Sequence, residues 1–167
     1  MIKINHLTNL HDARFAAAEN VDFISFAMAK GNIRKIPLTL YQDIAQWIAG
    51  TYLVLDFEED ANSLLETLNK SIPFDFLQVH ARIIHFVPTN LLERTFVFCP
   101  SEFEALNFLE QSFIVESYLD IQHDKHFQIV HVDCKKENFK NYTLDYSFFL
   151  ENYELDYELF NKWNAPN

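Results

Sequence analysis

Five side chains able to move protons or hold metals close apolar runs of this chain: His6, His80, Asp120, His131 and Asp133. Each falls at the expected C-terminal end of a strand-like segment. An imidazole titrates near neutral pH and serves as general base, proton shuttle or metal ligand. A carboxylate serves as general acid, general base or ligand. Three His and two Asp together have the donor chemistry for zinc or iron. No pair has diagnostic metal spacing, such as two His one helical turn apart, so no metal site is assigned. His123 and His126 lie in a short connection and are expected to face solvent. The two cysteines, Cys99 and Cys134, are too few for a framework of disulfides or metal ligands.

The elements that must position these groups alternate between short apolar runs and helical patterns. Ile2 to His6 reads as a strand, followed by a helix capped by Thr8 or Asn9 and running to Asn20. Phe23 to Met28 is a second strand, then a loop to Pro37 and a helix from about Leu40 to Ala49 that Gly50 stops. Tyr52 to Phe57 is a third strand, Ala61 to Asn69 a helix, and Phe74 to His80 a fourth strand. The strands are nearly continuous in apolar residues, the mark of a parallel sheet buried on both faces.

The second half is less regular. Arg82 to Val87 fits either a strand or irregular chain, and Leu91-Leu92 at most a short helix. Thr95 to Cys99 is strand five, Ser101 caps a helix to Gln111, and Ile114 to Leu119 is strand six. Six residues then lead from Asp120 to strand seven, Phe127 to Val132. A parallel crossover with its helix needs about 10–12 residues, whereas six extended residues reach about 20 Å, one strand length. Either the helix is missing or the two strands form a hairpin. Leu144 to Leu150 is strand eight and Tyr153 to Trp163 a closing helix.

The expected fold is therefore a (β/α)8-like barrel with trimmed or missing outer helices in its second half, in a single domain over residues 1–167. The chain's 167 residues are few for eight β/α units. The 17 Phe and 7 Tyr are expected to fill volume that missing helices would have covered. A net charge of −11 argues against a nucleic-acid or anionic-membrane surface. No apolar run approaches the ~20 residues of a membrane span. The chain opens on a strand pattern rather than a cationic, apolar leader, so a cytoplasmic location is expected.

Several segments resemble the phosphoribosylanthranilate isomerase family of tryptophan biosynthesis. Lys3-Ile4-Asn5-His6-Leu7-Thr8, with Asp12-Ala13, resembles its Lys-Ile-Cys-Gly-Leu-Thr opening and the helix after it. Phe26 through Arg34 to Pro37 resembles its Ser-Pro-Arg-Tyr loop, and Phe76 to His80 its Val-Gln-Leu-His-Gly strand. Tyr118-Leu119-Asp120 resembles its Leu-Leu-Asp, Glu137-Asn138-Phe139 its Pro-Glu-Asn-Val, and Asp145-Tyr146-Ser147 with Glu151 and Asp156 its last unit. The match runs through the chain in order and is most specific in the first 80 residues.

The resemblance implies a (β/α)8 barrel performing an Amadori rearrangement of an aminoaldose without a cofactor. It implies Asp120 as the acid and Arg34 as the group that receives a substrate carboxylate. It places Gln78 and His80 beside the substrate. The family's base is the Cys at the position of Asn5, and an amide has no useful proton affinity near neutral pH. His6 is the substitute base at hand, but it would face away from the barrel centre if the strand continued through it. The family's phosphate loops are glycine-rich because a backbone approaching an anion closely leaves no room for Cβ. This chain has two glycines, Gly31 and Gly50, and none in the matching segments after strands six, seven and eight. Phe148 and Phe149 are expected to occupy the phosphate space. Three functions follow. One is a non-catalytic scaffold or interaction protein, and another a barrel with a different small-molecule or metal site on the same rim and without the family's catalysis. The third is an active isomerase using His6 and Asp120. A homodimer through the helix-depleted face is the expected partner arrangement, because such a face would expose an apolar patch.

Overall fold

The computed structural model describes residues 1–70, 72–111, 113–119, 121, 123–130, 141–144 and 148–165. Eight parallel strands close into a barrel: β1 (Ile2–Ile4), β2 (Phe23–Ala27), β3 (Tyr52–Asp56), β4 (Phe76–His80), β5 (Thr95–Phe98), β6 (Ile114–Ser117), β7 (His126–Val130) and β8 (Tyr142–Leu144). Closure is direct, with Ile2 beside Tyr142 and Ile4 beside Leu144. The connection from β6 to β7 is parallel, with Glu116 beside Phe127. No helix covers this connection among the described residues, as the short reach of the segment requires.

The helices are α1 (Leu10–Ala18), α2 (Leu38–Ala45), α3 (Ala61–Leu68), α4 (Glu102–Glu110) and α5 (Tyr157–Asn164). Asn9, Asp60 and Ser101 cap α1, α3 and α4 by accepting the amides of Asp12, Ser63 and Glu104. The span left open between β4 and β5 is a pair of 3-10 turns, Ala81–Phe86 and Thr89–Arg94. Several expected boundaries move. α2 ends at Ala45, before Gly50. The closing helix starts at Tyr157, capped by Asp156, rather than at Tyr153. The eighth strand is Tyr142–Leu144 rather than Leu144–Leu150, because its register is set by β1 and not by the later aromatic run.

The inside of the barrel is layered. Phe23, Phe76, Phe96 and Phe127 plug the end where the strands begin, in edge-to-face pairs such as Phe96–Phe127 at 5.1 Å. Phenylalanine thus fills the barrel floor as well as the outer layer. Phe148 is fully buried against Trp163, 5.3 Å between rings, in the main core beneath α5. Glu116 points inward, so Ser117 points outward. Its hydroxyl meets His126 Nε2 at 2.8 Å, and both residues are buried. His126 is therefore not the solvent-facing residue the short connection suggested, whereas His123 is exposed.

Candidate functional site

Above the phenylalanine plug lies a buried polar layer. Lys3 on β1 reaches across the barrel to Glu116 on β6, with Nζ and Oε1 2.7 Å apart and both side chains fully buried. The Lys3 ammonium also donates to the side-chain oxygens of Asn5 and Gln78. Glu116 further accepts from Gln78 Nε2 at 2.8 Å and from the Thr143 hydroxyl. Asn5 Nδ2 lies 3.4 Å from both Glu116 oxygens, and the Ser25 hydroxyl donates to Asn5 Oδ1 at 3.0 Å. A charge pair held out of water needs this many partners to offset its desolvation. Asn5 is thereby fixed in orientation within the network.

On this layer stands a cavity of about 470 Å³ lined by residues that include Asn5, His6, Asp56, Glu58, Gln78 and His80. It opens at the C-terminal ends of the strands, where barrels of this kind place their sites. β1 stops at Ile4 and His6 takes a φ of 59°. That left-handed turn ends the alternation of the strand, so Asn5 and His6 both line the cavity. The strand does not continue through His6, so the condition under which it would face away is not met. Its backbone N–H donates to the Ser25 hydroxyl, and its Nε2 lies 2.7 Å from Asp56 Oδ2. Asp56 Oδ1 accepts the Glu58 amide. Glu58 is itself at positive φ, 49°. A β-carbon in this region is costly and persists where its surroundings impose it.

His80 ends β4 in the same cavity. Its Nδ1 accepts the Arg82 amide, and its Nε2 is 3.5 Å from Glu59. Gln78 and His80 are therefore brought together with Asn5 and His6. Arg34 is not among the residues lining this cavity. It is buried beside a second one of about 500 Å³, which shares Glu58. Its guanidinium stacks 3.7 Å over the Phe149 ring and donates to the Tyr153 carbonyl at 2.8 Å. Phe149 thus packs against Arg34. Asp120, His131 and Asp133 lie outside the described residues, and so does Cys134. Among the described residues no three His, Cys, Asp or Glu side chains converge as a metal cage. Burial, with Glu104 nearby, pushes the Cys99 thiol up to about 12, so it holds no thiolate near neutral pH.

Lys3, Asp56, Glu58, Glu59 and Glu116 are the site residues that the sequence reasoning passed over. Asp56 ends an apolar run, the same signal that marked His6 and His80. Lys3 and Glu116 are single charges inside apolar strands, which is the signature of a paired, inward-facing ion.

Barrel closure, parallel order and a site at the C-terminal rim define a (β/α)8-barrel protein. More particularly, the chain carries the phosphoribosylanthranilate isomerase fold from end to end. It is similar to a monomeric form of the dimeric enzyme from Thermotoga maritima, with a TM-score of 0.73 at 16% identity over 98% of this chain and 97% of that one. The enzyme from Pyrococcus furiosus gives 0.72 at 14% identity, over 98% and 96%. A phosphoribosylanthranilate isomerase in complex with reduced 1-(o-carboxyphenylamino)-1-deoxyribulose 5-phosphate gives 0.75 at 13% identity, over 98% and 95%. No protein-family profile and no curated protein sequence matches the chain.

Proposed function

We propose that this barrel binds an unphosphorylated small molecule in the rim cavity and does not carry out the Amadori rearrangement. The observation that carries this reading is the state of Asn5. It stands where the resemblance expects the catalytic thiol, and its amide is held by Lys3, Glu116 and Ser25. The cavity's carboxylates also oppose a ligand bearing both a carboxylate and a phosphate, like the one bound by the structural neighbour. The absence of glycine from the three matching loop segments points the same way.

A second reading, an active isomerase with His6 as base and Asp120 as acid, is favoured by the 2.7 Å contact between His6 and Asp56 in the cavity. A carboxylate so placed orients an imidazole and stabilises its protonated form. Assay of the purified chain with phosphoribosylanthranilate, and complementation of a strain lacking the isomerase, separate the two. The binding reading predicts no turnover and no growth. Turnover that His6→Ala abolishes would replace it with the second reading.

A cytoplasmic location goes with either reading. No described helix is long and apolar enough to cross a membrane. Self-association through the β6–β7 side is the partner arrangement we attach to this fold. The outer helix is missing there among the described residues, and the Thermotoga maritima neighbour is called dimeric. Light scattering tests it, and the mass of a single chain at all concentrations would rule it out.

A further inference from the structure

We infer that the rim cavity selects a small organic cation, an amine carried on an apolar or aromatic body. This rests on the reading of the cavity as a small-molecule site and adds the charge of its occupant. Four carboxylates border the cavity: Asp56, Glu58, Glu59 and Glu116. Glu116 is matched at the floor by Lys3. Glu59 is matched at the rim by Arg82, 3.2 Å away. Asp56 and Glu58 remain without a permanently charged partner among the described residues. Asp56 is held by His6, so its balance follows the charge of that imidazole. Glu58 accepts from the Asn32 amide, a neutral donor.

An anion entering the cavity therefore meets Glu58 whatever the state of the two histidines. A cation gains from the same carboxylate, which stands exposed at the mouth of the cavity. The guanidinium of Arg34, the strongest candidate for receiving an anion, lies beside the neighbouring cavity, stacked on Phe149 and donating to the Tyr153 carbonyl, and does not line this one.

The rest of the lining supplies the other half of the recognition. Phe98, Tyr118, Ile129 and Leu144, from β5, the end of β6, β7 and β8, form an apolar and aromatic wall of the same cavity. Phe98 and Tyr118 meet at right angles, 6.3 Å between ring centres, and Tyr118 is 64% exposed at the mouth. Such a wall takes an apolar body, and ring faces attract cations. The cavity thus has a negative side and an aromatic side, and an arylalkylamine satisfies both.

The test uses the full chain at about pH 8, where an alkylamine still carries its charge. Phenethylamine, phenethyl alcohol, hydrocinnamate and inorganic phosphate are titrated separately by calorimetry and ligand-detected NMR. The amine is expected to bind at least ~10-fold more tightly than the alcohol and the acid, with phosphate showing no binding. Glu58→Gln is expected to remove most of the amine's advantage over the alcohol while leaving the melting temperature unchanged. Hydrocinnamate or phosphate binding as tightly as the amine would overturn the cation inference and leave the small-molecule reading standing. An amine preference that Glu58→Gln does not reduce would overturn it as well. Failure of every probe to bind would overturn both.

Discussion

From Ile2 to His80 each of β1, β2 and β3 is followed by an α-helix. From Thr95 to Leu144 the described chain holds one α-helix, α4, and β6 passes to β7 with none between. The two regions also furnish different sides of the cavity. The first supplies Asn5, His6, Asp56, Glu58, Glu59, Gln78 and His80, all polar or ionisable. The second supplies Phe98, Tyr118, Ile129 and Leu144, with Glu116 its one charged side chain there among the described residues. Polar side chains pointing into a cavity must be held at fixed angles by hydrogen bonds, and regular β/α units hold strand ends in place. An apolar wall asks only for volume and contact, which are less sensitive to the angle at which a strand arrives. Among the described residues, the connection without an outer helix, β6 to β7, thus falls on the side of the barrel whose site residues need the least orientation.

The largest effect is expected where the two regions are joined through the barrel. Glu116→Gln leaves the Lys3 ammonium fully buried without its carboxylate, and the expected cost is about 3–5 kcal/mol. Urea denaturation measures it. The double variant Lys3→Met with Glu116→Leu removes both charges and is expected to recover much of the loss, short of complete because Asn5, Gln78 and Thr143 lose partners. A single-variant cost below about 1 kcal/mol would mean that water reaches the pair, and that the two regions are not locked together at this layer.

Next comes the seam between α1 and the end of the chain. Asp12 is fully buried on α1. It accepts the Leu155 amide at 3.0 Å, the Tyr157 hydroxyl and the Asn9 amide. Asp12→Ala strands the Leu155 N–H away from water, for an expected loss of about 2 kcal/mol. Tyr157→Phe removes one bond and leaves the others, with an expected loss nearer about 1 kcal/mol. Equal losses from the two variants would show that the Leu155 amide finds water once Asp12 is gone.

The difference between the regions also decides what could be read without a structure. Through β4 the apolar runs, capping residues and breaks give each element nearly at its true place, because local signals and packing agree there. Asn9, a residue named as a candidate cap, caps α1, and Gln78 and His80 at the end of β4 line the cavity. Beyond β4 the signals thin. The 3-10 turns have no strong period of their own, and β8 is fixed by its pairing with β1 across the whole chain length. The facing of His6 turned on where the first strand ends, which the sequence left open. The strand stops at Ile4 and His6 takes a left-handed turn, so alternation does not reach it. Lys3 and Glu116 needed the closed barrel to reveal each other, since 113 residues separate them.

The smallest of these effects tests how firmly the regular units hold the polar side. Asp60 caps α3, accepting the Ser63 amide at 3.0 Å and the Ser63 hydroxyl at 2.6 Å. It also accepts the Lys30 amide and so ties the loop after β2 to the start of α3. Burial raises its pKa, but the bonds from Ser63 and Lys30 outweigh that and bring it from 3.8 down to about 2. A carboxylate with a lowered folded-state pKa adds stability in full above its unfolded value. That stability drains away as pH falls through the folded value. Asp60→Ala is accordingly expected to cost about 1 kcal/mol near neutral pH. Its difference from the parent chain should hold down to about pH 4 and shrink toward pH 2. Denaturation curves across that range measure it. A gap that stays constant down to pH 2 would mean that the cap acts through shape and the Ser63 hydroxyl rather than through its charge.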